Sequence, residues 1–426
     1  MSPPWHLGGF VLIATAACGL STPLLRSKGL QEPLYTGNDP DACKDIEHLV
    51  VSKGYPFERH HVTTDDGYVL EMHRLPGGRR PCTEPCHREP VLLMTGLGTD
   101  SASFVADFPD QSLGFLLADI GYDVWLANTR GNTFGKQHVN LSVKSKRFWD
   151  FSFHEHGIYD APAQIDYVLK ERQLSCLLYV GISQGTLMFF VMMSERPEYN
   201  AKVKAFVALA PFRKFNKSPL TIVKALPVTE RLLRLAGYAN LDKLTSHSVL
   251  NAYTAKGVCG LSVQSVCTAL ADKIMNFGSK YANRSRMPVY LCKLPAGTSM
   301  KNLQHFLQLM ISKKSQKFDY GPEKNAEIYG QAEPPLYSLD TMTTDVGAFW
   351  SLGDKLVFPD TVAQLIEDLG PRVKKNVYID DPDYTHINFV NALINPEVLF
   401  PDLLEFLARY LGRPCERGLE PHMNEE

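Results

Sequence analysis

The sequence predicts an α/β fold, a mostly parallel β-sheet with helices on both faces and an inserted helical segment. Three observations carry this. Short, near-continuous apolar runs recur at "PVLLMTG" (90–96), "YDVWLAN" (122–128), "CLLYVG" (176–181) and "AFVALAP" (205–211). Stretches of helical periodicity such as "APAQIDYVLKER" separate them, and buried strands alternating with helices are the pattern of a parallel sheet covered on both sides. The strand rhythm then stops from about 213 to 335, where "LTIVKALPVTERLLRLAGY" is amphipathic and helical. It resumes with "VGAFWSLG" (346–353) and "KNVYID" (375–380) before a final helix, "PDLLEFLARYLG". An insertion between strands of one sheet explains this more economically than two independent domains.

In chain order, the first element is an apolar run from Leu7 to about Leu20 that ends in small residues. It suits a signal-peptide core and falls short of the roughly 20 apolar residues needed to span a bilayer. Residues 1–21 therefore read as a signal peptide, which directs the protein to the secreted or lysosomal compartment. Residues 22–212 read as the N-terminal part of the core and 213–335 as the cap. Residues 336–412 are the C-terminal part of the core, and 413–426 are a tail. Within the first part, "HHVTTDDGYVLEMHRL" alternates apolar and polar residues around Asp66-Gly67, a hairpin signature.

Hydrophobic residues at 44% and charged residues at 21% fit a globular protein with a sizeable core. A formal net charge of -2 gives no electrostatic reason to expect nucleic acid as a partner. Beyond the signal, no stretch is long and apolar enough for a transmembrane helix.

Without the signal, eight cysteines remain, an even number that permits disulfides in a secreted chain. Cys82 and Cys86, and Cys259 and Cys267, are the nearest local pairs. Zinc is the alternative at such spacings, but no companion His/Cys pair sits at ligand spacing, so no metal or cofactor is expected. Cys176, between a helical stretch and a strand, reads as buried and free. Sequons at Asn140, Asn216 and Asn283 are glycosylation candidates.

The chemistry centres on "LLYVGISQGTLMFF", where Ser183 stands between Gly181 and Gly185. A G-x-S-x-G string is weak by itself. Its value rises when a strand leads in and a helix leads out, because a sharp turn then exposes the serine. A hydroxyl needs a base to take its proton and an acid to hold that base, and on such a turn they follow in the order Ser, Asp or Glu, His.

Beyond Asp354 the histidines are His386 and His422. His422 sits in a polar tail, so His386, in a loop after a strand, is the candidate base. Asp354 directly follows the strand "AFWSLG" and is the candidate acid. Asp360 reads as a helix N-cap, and Asp345 lies at the wrong end of the strand. The backbone N–H of Gln184, after the nucleophile, is one expected oxyanion donor. Leu97, in the "TGLG" loop after an early strand, is the other.

The chain resembles the acid lipases, the family of gastric and lysosomal enzymes. The matching segments are "GYPFERHHVTTDDGYVLEMHRLP", "GYDVWLANTRGNTFG", "FWDFSFHEHGIYDAPAQIDYVL", "YVGISQGT", "LPAGTSMKNLQHF" and "YTHINF". They run in the family's order from about residue 50 to 410. The resemblance implies an α/β-hydrolase core with a cap and lid, and hydrolysis of neutral-lipid esters at a lipid–water interface. It implies Ser183, Asp354 and His386 as the triad, Leu97 and Gln184 as the oxyanion hole, and Cys259 and Cys267 near the cap disulfide. The chain departs from the family at Ile182 and Thr95, where relatives usually carry His, and at Asn388, where they carry Asp. The runner-up function is therefore a catalytically silent relative that binds lipid.

Overall fold

The computed structural model describes residues 39–80, 88–216 and 279–415, with the backbone of 243–244. The proposed signal peptide, Cys82, Cys86, Cys259, Cys267, His422 and about half of the proposed cap lie outside the described residues.

The strands, in chain order, are β1 (Glu58–Thr63), β2 (Tyr68–Leu75), β3 (Pro90–Met94), β4 (Asp123–Leu126), β5 (Gln137–His138), β6 (Leu177–Ile182), β7 (Val203–Leu209), β8 (Lys243–Leu244), β9 (Thr298–Ser299), β10 (Asp345–Ser351) and β11 (Val373–Ile379). The main sheet runs β1-β2-β4-β3-β6-β7-β10-β11, with β5 paired to β2. From β4 to β11 every neighbour is parallel, while β1/β2 and β2/β4 are antiparallel. The first hairpin turns at Asp66-Gly67, where Gly67 supplies φ +98°, as the sequence predicts. β8 pairs with β9 in a separate ribbon.

Side chains alternate across each central strand, and the core divides accordingly. Val91, Leu93, Leu178, Val180, Ala205 and Val207 enter one hydrophobic cluster. Their neighbours Leu92, Met94, Leu177, Tyr179, Phe206 and Ala208 enter another on the opposite face. This is why the central strands read as continuous apolar runs rather than alternating ones.

Helices α2 (Leu113–Asp119) and α9 (Phe400–Ala408) pack into the first cluster through Phe115, Leu117, Leu403 and Phe406. Helices α3 (Ala161–Arg172), α4 (Gln184–Glu195) and α8 (Pro359–Leu369) pack into the second through Ile165, Phe189 and Leu365. The Phe189 and Phe206 rings stack with centroids 3.9 Å apart. Each such buried side chain contributes about 1.5–3 kcal/mol of transfer free energy. The other helices are α1 (Ile46–Val51), α5 (Met287–Lys293) and α7 (Pro322–Tyr329), each of about two turns, and the longer α6 (Met300–Ser312).

One expectation is corrected. Cys176 is buried but not free, because it is bonded to Cys415, and a second disulfide joins Cys43 to Cys292. The partners lie 239 and 249 residues apart. Sequence spacing carries no information about such pairs, and only the folded sheet brings their backbones together.

One buried charge cluster centres on Arg130, on the loop after β4. Its guanidinium bonds Asp160 at 2.7 Å and Asp66 at 2.8 Å, and lies 3.9 Å from the centre of the Tyr68 ring. Asp66 comes from the first hairpin and Asp160 from the turn before α3, so the pair ties the sheet's antiparallel edge to its helical cover.

Candidate active site

β6 ends at Ile182 and α4 begins at Gln184, leaving Ser183 alone between them with φ 53° and ψ -116°. A non-glycine residue held at such angles costs on the order of 1–3 kcal/mol, and its surroundings hold it there. Its N–H donates to Leu209 O at 3.0 Å, and its C=O accepts from Thr186 N at 2.9 Å and Thr186 Oγ1 at 2.7 Å. The flanking glycines are steric requirements. A Cβ on Gly181 would stand 2.8 Å from the Gly185 backbone, and one on Gly185 would stand 2.5 Å from Met94 O.

The structure brings His386 and Asp354 together from the loops after β11 and β10. His386 Nδ1 lies 2.6 Å from Asp354 Oδ2, and Asp354 is 2% exposed. The other carboxylate oxygen accepts the N–H groups of Leu356 at 2.9 Å and Val357 at 2.8 Å. An acceptor-only carboxylate facing Nδ1 places the ring's proton there and leaves Nε2 as the basic lone pair.

Asp345 begins β10 at the opposite end. Asp360 lies in the first turn of α8, whose N-cap is Phe358 rather than Asp360 as expected. Of these three carboxylates, the one hydrogen-bonded to His386 is Asp354.

Ser183 and His386 line one cavity of about 300 Å³, together with Gly96 and Leu97. Its walls are mostly apolar and include Ile182, Phe212, Phe306 and Val390. Leu97 sits in a tight loop closed by Thr99 Oγ1 donating to Gly96 O at 2.9 Å and by Ala296 N donating to Gly98 O at 2.7 Å. Gln184 is the first residue of α4, where a helix leaves backbone N–H groups without intrahelical acceptors.

The positions that depart from relatives are all buried. Ile182 closes β6 as part of the core and of the cavity wall. Asn388 accepts from Thr385 N at 2.7 Å, which shapes the loop carrying His386 without needing a charge. Thr95 is fully buried, and its hydroxyl has no protein partner among the described residues. Of the sequons, Asn140 is exposed, Asn216 is half-buried, and the buried Asn283 amide donates to Gln111 at 2.9 Å.

Sequence reasoning missed a polar cluster behind the nucleophile. The Gln184 side chain is 1% exposed and accepts at 2.7 Å from Nδ2 of Asn302 on α6. Its own Nε2 lies 3.3 Å from Nδ1 of His156. "MKNLQHF" shows a polar residue on an amphipathic helix and gives no sign that Asn302 reaches position 184.

A serine on a strained strand–helix turn, with a His–Asp pair delivered by two later strand ends, defines the α/β-hydrolase class of proteins. The family described as "alpha/beta hydrolase fold" matches residues 89–392, and a "Partial alpha/beta-hydrolase lipase region" matches 46–108. Human gastric triacylglycerol lipase is 35% identical, covering 93% of this chain and 98% of that one. Mouse lipase member K is 34% identical, covering 94% and 99%, and lipase 1 of Drosophila melanogaster is 34% identical, covering 87% and 81%. The chain belongs to the acid lipase family.

Proposed function

We propose that the protein is a serine lipase that hydrolyses carboxylic esters of neutral lipids, triacylglycerols or steryl esters, through an acyl-enzyme. Ser183 Oγ attacks the ester carbonyl while His386 Nε2 takes its proton. Asp354 orients the ring and stabilises the imidazolium, and the N–H groups of Leu97 and Gln184 hold the oxyanion. His386 then returns the proton to the departing alcohol, and water repeats the sequence to release the fatty acid. Residues 213–335 act as a cap over the core formed by 22–212 and 336–412, and open at a lipid surface. The leader and sequons fit a secreted or lysosomal protein. No helix among the described residues is long and apolar enough to cross a membrane.

The observation that carries this reading is the 2.6 Å His386–Asp354 hydrogen bond beside an apolar cavity that Ser183 also lines. The test is a fluorophosphonate probe with fatty-acid release from a triglyceride emulsion. Wild type should label and release fatty acid, and Ser183→Ala should do neither, with hydrolysis down by several orders of magnitude. Equal labelling of Ser183→Ala would remove the nucleophile. Failure of the wild type to label would favour the silent lipid-binding relative, the reading that Ile182, Thr95 and Asn388 suggest.

A further inference from the structure

We propose that Asn302 is a positioning residue of the oxyanion hole, acting through the side chain of Gln184 to hold that residue's backbone N–H on target. The inference rests on the serine-lipase reading above and goes beyond it, because the side chain of Gln184 has no role there.

The orientation of the cluster follows from one fixed donor. The Phe153 N–H can only donate, and it lies 2.7 Å from Asn302 Oδ1, so that atom is the oxygen. Asn302 Nδ2 therefore faces Gln184 at 2.7 Å and Thr298 Oγ1 at 3.0 Å. The atom of Gln184 that meets it must be oxygen, which turns Gln184 Nε2 toward His156. His156 Nδ1 must then be a lone pair, and the ring proton sits on Nε2. Burial, reinforced by the charge of Arg130, holds this ring neutral, with its pKa pushed down to about 3. A backbone group of Arg130 acts on this ring as an acceptor, and Nε2 makes no hydrogen bond of ordinary geometry to the described residues. The Phe153 N–H, which can only donate, therefore orients the chain of amides from the Asn302 end.

Asn302 is itself immobile. It is fully buried, its N–H donates to Ser299 Oγ at 2.9 Å, and both ends of its amide are engaged. It joins α6, which lies within the proposed cap segment 213–335, to the first residue of α4. His156 opens a π-helical turn, His156–Asp160, a rare form found often at functional sites. A residue whose side chain is clamped at both ends has little freedom to rotate its peptide plane. A preorganised donor needs that, since its benefit comes from not reorganising as charge develops.

The test is kinetics on a short-chain, water-soluble p-nitrophenyl ester for wild type, Asn302→Ala, Gln184→Met and the double variant. Binding of butylboronic acid, whose adduct with Ser183 is tetrahedral and anionic, is measured in parallel. Removing a direct oxyanion donor costs about 10²–10³ in kcat. Loss of its support should cost about 10–100-fold, with KM within about twofold. Boronate affinity should fall with kcat/KM, and the double variant should be no slower than the slower single one.

Unchanged kcat in folded Asn302→Ala, or losses that multiply in the double variant, would overturn the proposal. If Asn302→Ala does not fold, Gln184→Met decides alone, because it leaves the bonds of Asn302 to Phe153, Thr298 and Ser299 in place. Ser183→Ala separates the two levels. If it keeps full activity the lipase reading fails, and if only the 302 and 184 variants keep full kcat this inference fails alone.

Discussion

The π-helical turn His156–Asp160 has a different kind of buried polar cluster at each end. At Asp160 the cluster is charged: Arg130 is 1% exposed, Asp160 is fully buried, and Asp66 completes a bridge between hairpin and helix. At His156 the cluster is neutral, made of two amides and an imidazole that burial keeps unprotonated. Burying ions is costly and is recovered only through close pairing, so a charged cluster acts as a lock that either holds or fails. Neutral amides cost less to bury and impose direction without a field. A group that supports an oxyanion donor should carry no charge of its own, since a nearby carboxylate would oppose the developing negative oxygen. Charge here secures the architecture, and neutral hydrogen bonds set fine position.

The Asp354–His386 hydrogen bond beside the cavity is where a buried carboxylate should matter to chemistry, and it carries the largest expected effect. Asp354→Asn removes the acceptor that keeps the proton on His386 Nδ1, and should lower kcat by on the order of 10⁴. Asp360→Asn, in the first turn of α8, should change kcat less than about tenfold. Steady-state rates on one ester compare them directly, and the reverse ranking would move the acid to Asp360 and unseat the 2.6 Å bond as the working one.

Next in size is the lock at Arg130. Arg130→Met leaves Asp160 and Asp66 without their cation, and should destabilise the fold by about 3–5 kcal/mol. Molecules that remain folded, counted by fluorophosphonate labelling, should turn over at the wild-type rate. A fall in turnover per labelled molecule would mean that the charged end of the turn also serves the chemistry, and the division drawn between the two ends would break.

What could be read in the sequence follows the same division. Ser183, His386 and Asp354 could be singled out as candidates because a proton-transfer set restricts residue type and chain order, leaving few choices. The parallel sheet was legible because strands such as "LLYV" are buried on both faces. The side-chain contact between Asn302 and Gln184 was not, because an amide is compatible with surface and core alike and the two residues lie 118 apart. Cys176 was misread for a related reason, since its partner Cys415 is on the last described segment of the chain. Pairings that depend only on the folded backbone leave no mark on local sequence.

The smallest expected effect concerns protons rather than mutations of the site. His305, stacked on Phe153 with ring centres 3.9 Å apart and bonded to Ser152 Oγ and Gln316 O, is fully buried. Burial pushes its pKa down to about 3, as it does for His156. An unfolded histidine takes its proton near pH 6.5, so between about 6.5 and 3 the unfolded state binds the proton and the folded state does not. The stability this contributes is complete above about 6.5 and is lost as pH falls toward 3. Burial acts in the opposite sense on carboxyls. It pushes Asp107 up to about 7, and at Asp160 it outweighs Arg130 and raises that carboxyl too. Those groups favour the folded state as pH falls, so the whole protein's acid profile is a balance of opposed terms and does not isolate one residue. The difference between two variants does. His305→Gln loses ring packing and should be less stable than wild type at pH 7.5, but it has no proton to gain. Its deficit should shrink by about 2 kcal/mol between pH 6.5 and 5. Melting temperatures of the two proteins across that range give the comparison, and parallel curves would mean that the folded His305 ring takes up its proton at the same pH as the unfolded one.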